Sequence, residues 1–373
     1  MLATEYRAEY APPGYLLFVQ GRSLMAQPFD AERLELSGEP SFIADGFYVS
    51  RGTSFAGFSV SERSVLAYSS GGDLGTTKLL WFDRAGRHLA TVDLPSRAQG
   101  PELSPDEQQV ALEVGGDTET NDIWVLELSR GIPTRFTSDT ANDRLPRWSP
   151  DGTRLLFQSN RGSALYNFYQ KSLSGAENEQ LLFQSNDSKY PMDWTRDGSF
   201  VVFAGFGTEA EATADLWVLP LSGEKKPVPF LRTQFQETQA RFSPDGKWMA
   251  YVSNESGRDE VYVSSFPGAS GRIRVSNSGG VQPRWRRDGK ELFYLSPDRK
   301  MMAVPVKGEP TLEVGTPTVL FEVRFIPQGS AVPYAYHQYD VTADGQRFLL
   351  NAPLENPTVP ITVVLNWPAG LKK

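Results

Sequence analysis

Apolar positions in this chain come in short runs, rich in aromatic and β-branched residues, separated by polar clusters that carry Gly, Pro, Asp and Ser. That grain predicts many brief strands and no long helix. Its clearest instance is residues 241–267, RFSPDGKWMAYVSNESGRDEVYVSSFP. There Ser243-Pro244-Asp245-Gly246 lies between two strand-like runs and reads as a tight turn of an antiparallel hairpin. Pro244 pre-sets φ, Asp245 offers its carboxylate to a backbone N–H, and Gly246 supplies the positive φ needed to enter the next strand. A third strand, Glu260-Val261-Tyr262-Val263, follows the polar loop 254–259, and a fourth extended run covers 272–276.

The same turn recurs at Ser104-Pro105-Asp106, Ser149-Pro150-Asp151-Gly152, Arg196-Asp197-Gly198, Arg287-Asp288-Gly289 and Ala343-Asp344-Gly345. Between successive turn acids the spacing is 45 residues (106 to 151), 46 (151 to 197), 48 (197 to 245) and 43 (245 to 288). A unit of four strands repeating at that period is a propeller blade, which cannot bury both faces alone and stacks radially around a channel. The expected fold is all-β, a β-propeller of four-stranded antiparallel blades forming a single domain over residues 1–373. Weaker copies of the turn at Ser61-Glu62-Arg63 and Ala11-Pro12-Pro13-Gly14 bring the expected count to eight blades, with seven as the alternative. The last repeat has strands at 339–341, 348–351 and 361–367 and lacks a fourth, which residues 2–10 are expected to supply so that no sheet edge stays open.

Composition narrows the class. With 39% hydrophobic residues, 33 Gly and 27 Pro, the chain is an ordinary globular one punctuated for many turns. A net charge of −8 with no block of Lys or Arg argues against nucleic acid and anionic membranes as partners. The absence of Cys removes disulfides, thiolate nucleophiles and Cys-based metal sites. Charges in MLATEYRAEYAPPG stand where a signal peptide needs an apolar core, and no apolar run approaches the length of a bilayer span. The polypeptide is therefore expected to be soluble as it stands, without direct membrane contact.

Catalytic chemistry finds little support in the residues. The two histidines, His88 and His337, sit in no motif, and the nearest approach to a G-x-S-x-G elbow, Gly52-Thr53-Ser54-Phe55-Ala56, lacks the final glycine. Asp117-Thr118-Glu119-Thr120-Asn121-Asp122 alternates oxygen ligands as a calcium loop does, but Asp122 replaces the glycine of the sharp turn and Leu128 the terminal acid. No catalytic residue, cofactor or metal is expected. Four residues before each turn acid stand Glu102, Arg147, Asp193, Arg241, Arg284 and Asp340, on what should be the innermost strands. These charges imply a ring of ion pairs between neighbouring blades, because a desolvated charge persists only when paired. The functional alternative is a channel mouth that binds an anionic or peptide ligand through Arg147, Arg241 and Arg284. One position nearer the turn, Trp148, Trp194, Phe242 and Trp285 read as apolar wedges between blades.

The turns followed by short apolar strands, with Asp122-Ile123-Trp124 and Asp215-Leu216-Trp217 opening third strands, resemble the WD40-like (PD40) repeat of TolB-type propellers over almost the whole chain. APPGYLLFVQ, SLMAQPFD, FSPDGKWMAYVSNESGRDEVYV, RWRRDGKELFYL and ITVVLNWPAGLKK resemble, more narrowly, the carboxy-terminal region of bacterial membrane-anchored Ser/Thr kinases. That resemblance implies a non-catalytic sensor module of a larger protein, extracytoplasmic or periplasmic, which binds a protein, peptide or small-molecule ligand. No glycine-rich phosphate loop, HRD-type loop or DFG occurs, so kinase activity transfers to no residue here. The alternative is the non-catalytic propeller of a prolyl-oligopeptidase-like (S9-type) hydrolase, which calls for an α/β-hydrolase domain elsewhere in the parent protein.

Overall fold

A computed structural model describes every residue except 1–7, 22, 46, 48, 51–54, 70–76, 95–96, 116–119, 164, 176–177, 207–212, 309–310, 326–335, 354–360 and 372–373. The described residues are strands and turns, with one short 3-10 helix at Trp367–Gly370, and none of their helices is long and apolar enough to cross a membrane. The chain divides into two compact units: Met1–Gly75 with Glu355–Lys373, and Thr76–Leu354.

Five sheets of the second unit follow the expected plan, each four consecutive strands whose innermost member leads through the recurrent turn into the next. Their innermost strands are Ala98–Leu103, Asp143–Trp148, Lys189–Trp194, Glu237–Phe242 and Val281–Trp285. The fifth of these sheets gains an extra strand, Thr318–Glu322, beside Lys300–Lys307. The sixth sheet joins distant parts of the sequence: Tyr339–Val341 and Arg347–Pro353 pair onward with Thr77–Asp83 and His88–Asp93. Among the described residues this unit therefore shows six blades. The expected count of eight, or seven, is corrected here because the turn signal marks any tight hairpin. The two weak upstream copies belong to the first unit, where they connect Glu9–Ala11 to Tyr15–Gln20 and Phe58–Val60 to Val65–Ser69.

Closure also differs from the expectation. The last repeat is completed by Thr77–Asp83 and His88–Asp93, and Thr77–Asp83 runs antiparallel to Arg347–Pro353 over seven residue pairs. Of the residues 2–10 expected there, 2–7 lie outside the described ones, and Glu9–Ala11 pairs with Tyr15–Gln20. Ile361–Leu365, expected in the last repeat, pairs with Val65–Ser69 in the first unit. That unit holds a five-stranded sheet of Glu9–Ala11, Tyr15–Gln20, Ser23–Asp30, Glu35–Leu36 and Ser41–Ala44, a three-stranded sheet, and the pair Val49–Ser50 with Phe55–Ala56. Its core gathers Leu17, Val19, Leu24, Phe47, Leu66 and Trp367.

Burial within the six-bladed unit falls from the channel outward. Second strands such as Trp248–Ser253 are buried on both faces, whereas fourth strands such as Ile132–Arg135 are largely exposed. Alternation is lost on the second strands because each sheet is covered on both sides by its neighbours. The apolar clusters lie between blades, and the expected wedges sit in them. Trp148 packs with Ala111, Ile123 and Phe157, Trp194 with Leu156 and Val201, and Phe242 with Val202 and Tyr251.

Each of the five regular innermost strands also contains a register shift of one residue against its partner, at 99/102, 144/147, 191/193, 238/241 and 281/284. In four of them Gly100, Leu145, Gln239 and Gln282 take positive φ, from 55° to 60°. Pro191 stands at the equivalent place in the third strand, where its ring forbids that conformation. Such a bulge re-aims the side chains that follow it. Two residues further on stand five of the six charged positions, Glu102, Arg147, Asp193, Arg241 and Arg284.

Candidate functional site

Hydrogen bonds link the innermost strands at every step of the six-bladed ring. Trp148 Nε1 donates to the Glu102 carbonyl at 2.8 Å, Arg147 Nε to the Met192 carbonyl at 2.6 Å and Trp285 Nε1 to the Arg241 carbonyl at 3.2 Å. Phe242 N donates to Asp193 Oδ2 and Leu103 N to Asp340 Oδ2, both at 2.8 Å, and Gln338 N to Gln282 Oε1 at 2.6 Å. The expected wedges thus include two indoles that also tie one blade to the next.

All six charged positions meet in the channel, around Glu102. Arg241 grips the Glu102 carboxylate with both Nη atoms (3.0 and 3.2 Å), and Arg284 does the same (3.3 and 2.8 Å). Arg147 Nη1 stands 3.6 Å from Glu102 Oε2. Arg241 and Arg284 also reach Asp193 and Asp340, each at 3.5 Å. Three guanidiniums and three carboxyls therefore share one network, in which Arg147, Arg241 and Arg284 are buried and each pairs with Glu102. Burial pushes the Glu102 carboxyl up, but Arg241, Arg284 and Arg147 overcome it and hold it far below the usual carboxylate range. Arg147 is pushed down to about 10, first by burial and then by the two neighbouring arginine charges, with Glu102 opposing. Burial raises Asp193 and Asp340 despite Arg241 and Arg284 beside them.

Above this network opens a cavity of about 250 Å³. Its floor includes Glu102, Arg241, Arg284, Asp193 and Asp340, its wall Trp148, Trp194, Phe242 and Trp285, and its rim the recurrent turns themselves. At the second residue of those turns stand Pro105, Pro150, Arg196, Pro244, Arg287 and Ala343, all lining the opening. Arg287 reaches across the rim, its Nη1 donating to the Pro105 carbonyl at 2.8 Å. Sequence reasoning passed over Arg196 and Arg287 as rim residues, although the signal is a visible break in the repeat: arginine where three other turns carry proline.

The remaining sequence candidates resolve simply. His88 is exposed, with Nε2 3.0 Å from Thr91 Oγ1. His337 is buried close to the channel arginines, and burial together with their charges keeps it neutral well below the usual histidine range. In the calcium-like loop, Asp117, Thr118 and Glu119 lie outside the described residues. Asp122 accepts from Thr137 Oγ1 at 3.3 Å and pairs with Arg135 at 2.6 Å, fastening a third strand to a fourth. Among the described residues no group of three His, Cys, Asp or Glu side chains is placed to hold a metal. Of the segment Gly52–Ala56, which lacks the final glycine of an elbow, residues 52–54 lie outside the described ones.

Six radially linked sheets around a polar channel, five of them four-stranded and one with an added fifth strand, define a β-propeller. Residues 66–218 match the family model described as PD40, TolB beta propeller domain, and the fold is of that TolB type. A solved structure of a candidate TolB from Agrobacterium tumefaciens aligns with a TM-score of 0.60 at 17% identity, covering 75% of this chain and 99% of that one. Among sequence relatives, the uncharacterized peptidase YuxL of Bacillus subtilis (strain 168) is 25% identical over 200 residues, 43% of this chain and 30% of the relative. Less than a third of that peptidase's length is thus spanned. The uncharacterized protein Atu1656 of Agrobacterium fabrum is 24% identical over 257 residues, 65% of this chain and 82% of the relative.

Proposed function

We propose that the chain is a non-catalytic binding module which receives a ligand or protein partner at the channel mouth, as the extracytoplasmic sensor part of a larger membrane-anchored Ser/Thr kinase. The observation that carries the binding role is the cavity, where turns from all six blades converge on one concavity. Its acids support a recognition surface over an active site: Glu102, Asp193 and Asp340 are each engaged by an arginine, the two aspartates also accept a backbone N–H, and Glu107 accepts from Ala343 N. A general base needs a free lone pair aimed at substrate, and these carboxylates spend theirs on the fold. Arg241 and Arg284 contribute to binding as the floor, fixing the depth and potential of the cavity, while Arg147, which does not line it, acts through its pairing with Glu102. The kinase context rests on the sequence phrases quoted above, and the partner is a protein, peptide or small molecule, not nucleic acid.

Blocking the mouth tests the proposal. Ala343→Trp places an indole on the rim without touching the floor network. Ligands found by their stabilisation of the parent, worth about 2.7 kcal/mol at a hundredfold excess over Kd, should lose that effect in the variant. Stabilisation that survives the plug, or reproducible turnover of a peptide, glycosidic or phosphoryl substrate by the purified chain, would overturn the reading.

The similarity to a peptidase favours a second reading, the propeller of an S9-type hydrolase. The reading frame around this segment separates the two: an upstream kinase domain and membrane helix support the first, and an adjoining α/β-hydrolase domain supports the second.

A further inference from the structure

We propose that the channel mouth selects a small oxyanion ligand, a carboxylate or phosphate ester, held between Arg196 and Arg287. The inference rests on the mouth-binding reading above and names the chemistry that the mouth recognises.

Within the cavity, the arginines fall into two classes. Those of the floor, Arg241 and Arg284, are buried and already engaged by the carboxyls of Glu102, Asp193 and Asp340. Those of the rim, Arg196 and Arg287, are exposed and have no carboxylate within ion-pair distance among the described residues. Arg287 spends one Nη on the Pro105 carbonyl, which fixes its direction across the opening and leaves its charge unneutralised. Arg196 is held below its usual value by partial burial and by the Arg287 charge, so the two guanidiniums sense each other across the mouth.

The turn aspartates do not answer them. Asp106, Asp151 and Asp245 accept from the Ser hydroxyl of their own turn and from the backbone N–H that follows, and Asp197 accepts from the N–H and hydroxyl of Ser199. Asp288 is taken by Arg286. Glu107 also lines the cavity, but its carboxylate accepts from Ala343 N and stands 3.9 Å from Arg347. Two cations facing one concavity, with its acids engaged elsewhere, form a site whose electrostatic cost an anion relieves, and planar guanidiniums match the two oxygens of a carboxylate or phosphate. Size sets the rest. At about 250 Å³ the cavity lies just under the ~300–1,000 Å³ of drug-sized pockets, and its Pro150, Pro244 and Trp285 surfaces suit the body of a compact organic anion.

Calorimetric titration of the purified chain with gluconate, glucose 6-phosphate, inorganic phosphate and glucose tests this. Saturable binding of gluconate or glucose 6-phosphate is expected, at least tenfold tighter than glucose, weakening as NaCl rises. In Arg196→Gln with Arg287→Gln that affinity should fall at least tenfold. Should the double variant lose stability with the Pro105 contact, Arg196→Gln alone carries the test, since it breaks no hydrogen bond or ion pair described for that side chain. Inorganic phosphate binding as tightly as the sugar phosphate would identify the free oxyanion as the recognised group, within the same proposal. No binding by any anionic probe, equal binding of glucose, or unchanged affinity in the variants would overturn it. A neutral ligand blocked by Ala343→Trp would leave the mouth-binding reading standing and remove this one. An anion indifferent to Ala343→Trp would remove the mouth itself.

Discussion

Glu102, Asp193 and Asp340 occupy one position of the repeat, and a single methylene separates what they do. The aspartates are short enough to accept the backbone N–H of the adjacent innermost strand, so they fasten neighbouring blades. The longer glutamate reaches the middle of the channel, where two arginine forks and Arg147 close on it. Glu237 is a buried acid of another kind. It accepts from Thr233 Oγ1 at 2.6 Å and Ser253 Oγ at 3.4 Å, while its Oε2 has no partner among the described residues. Burial, with the Asp215 charge adding to it, raises its pKa to about 7, against an ordinary 4.5. A folded-state pKa above the unfolded one means that the native protein holds an extra proton between those values. The stability this proton confers is present at low pH and is lost as pH rises through about 7. Glu237→Gln, which mimics the protonated form, should therefore stabilise the protein at pH 8 by on the order of 1–3 kcal/mol, with the gain fading toward pH 5. Chemical denaturation at both pH values checks this, and an equal gain at each would rule out titration of Glu237 as the cause.

Among the elements, the recurrent turn explains both its own repetition and its tolerance. In the turn 243–246, Ser243 Oγ donates to Asp245 Oδ1 at 2.5 Å, Lys247 N donates to the same oxygen at 3.1 Å, and Gly246 takes φ 68°. Space around a Cβ at Gly246 is open, whereas a Cβ at Gly345 would meet Arg286 Cδ at 2.8 Å and Phe293 Cζ at 3.0 Å. Asp245→Ala should cost about 1 kcal/mol and Gly246→Val about 1–3, the latter purely through backbone strain. Gly345→Ala should cost more than Gly246→Ala, because contact adds to the same strain. Equal melting temperatures for the two alanine variants would show that the closer packing at Gly345 is immaterial.

These turns, the strands they join and the wedge residues were legible because each rests on local chemistry: a fixed φ, an Asx acceptor, an apolar run. The bulges were not legible, since Leu145, Gln239 and Gln282 carry no local mark of positive φ. Nor was the pairing of Thr77–Asp83 with Arg347–Pro353, whose residues stand more than 250 positions apart and are chosen by ring closure alone. The charged ring of the channel was readable as a sign pattern. That three arginines would share Glu102 depended on side-chain length and the bulge geometry together.

At the scale of the six-bladed unit, sewing its own first and last strands into one sheet removes the open edge that a linear array of blades would leave. The ring in turn forces six charged side chains into one channel, where they persist only by pairing. It leaves the turns at the mouth free to vary, and there Arg196 and Arg287 replace proline. Under the binding proposal above, the floor arginines hold the ring together and shape the cavity, and the rim arginines face the ligand. Thermal denaturation separates these roles most directly. Arg241→Gln with Arg284→Gln strips Glu102 of both forks and leaves it buried beside Arg147 alone, which should lower Tm by roughly 10 °C. Arg196→Gln, which breaks no described contact, should leave Tm within about 2 °C. An unchanged Tm for the floor pair would contradict the division of roles, as would a loss from Arg196→Gln comparable with that of the floor pair.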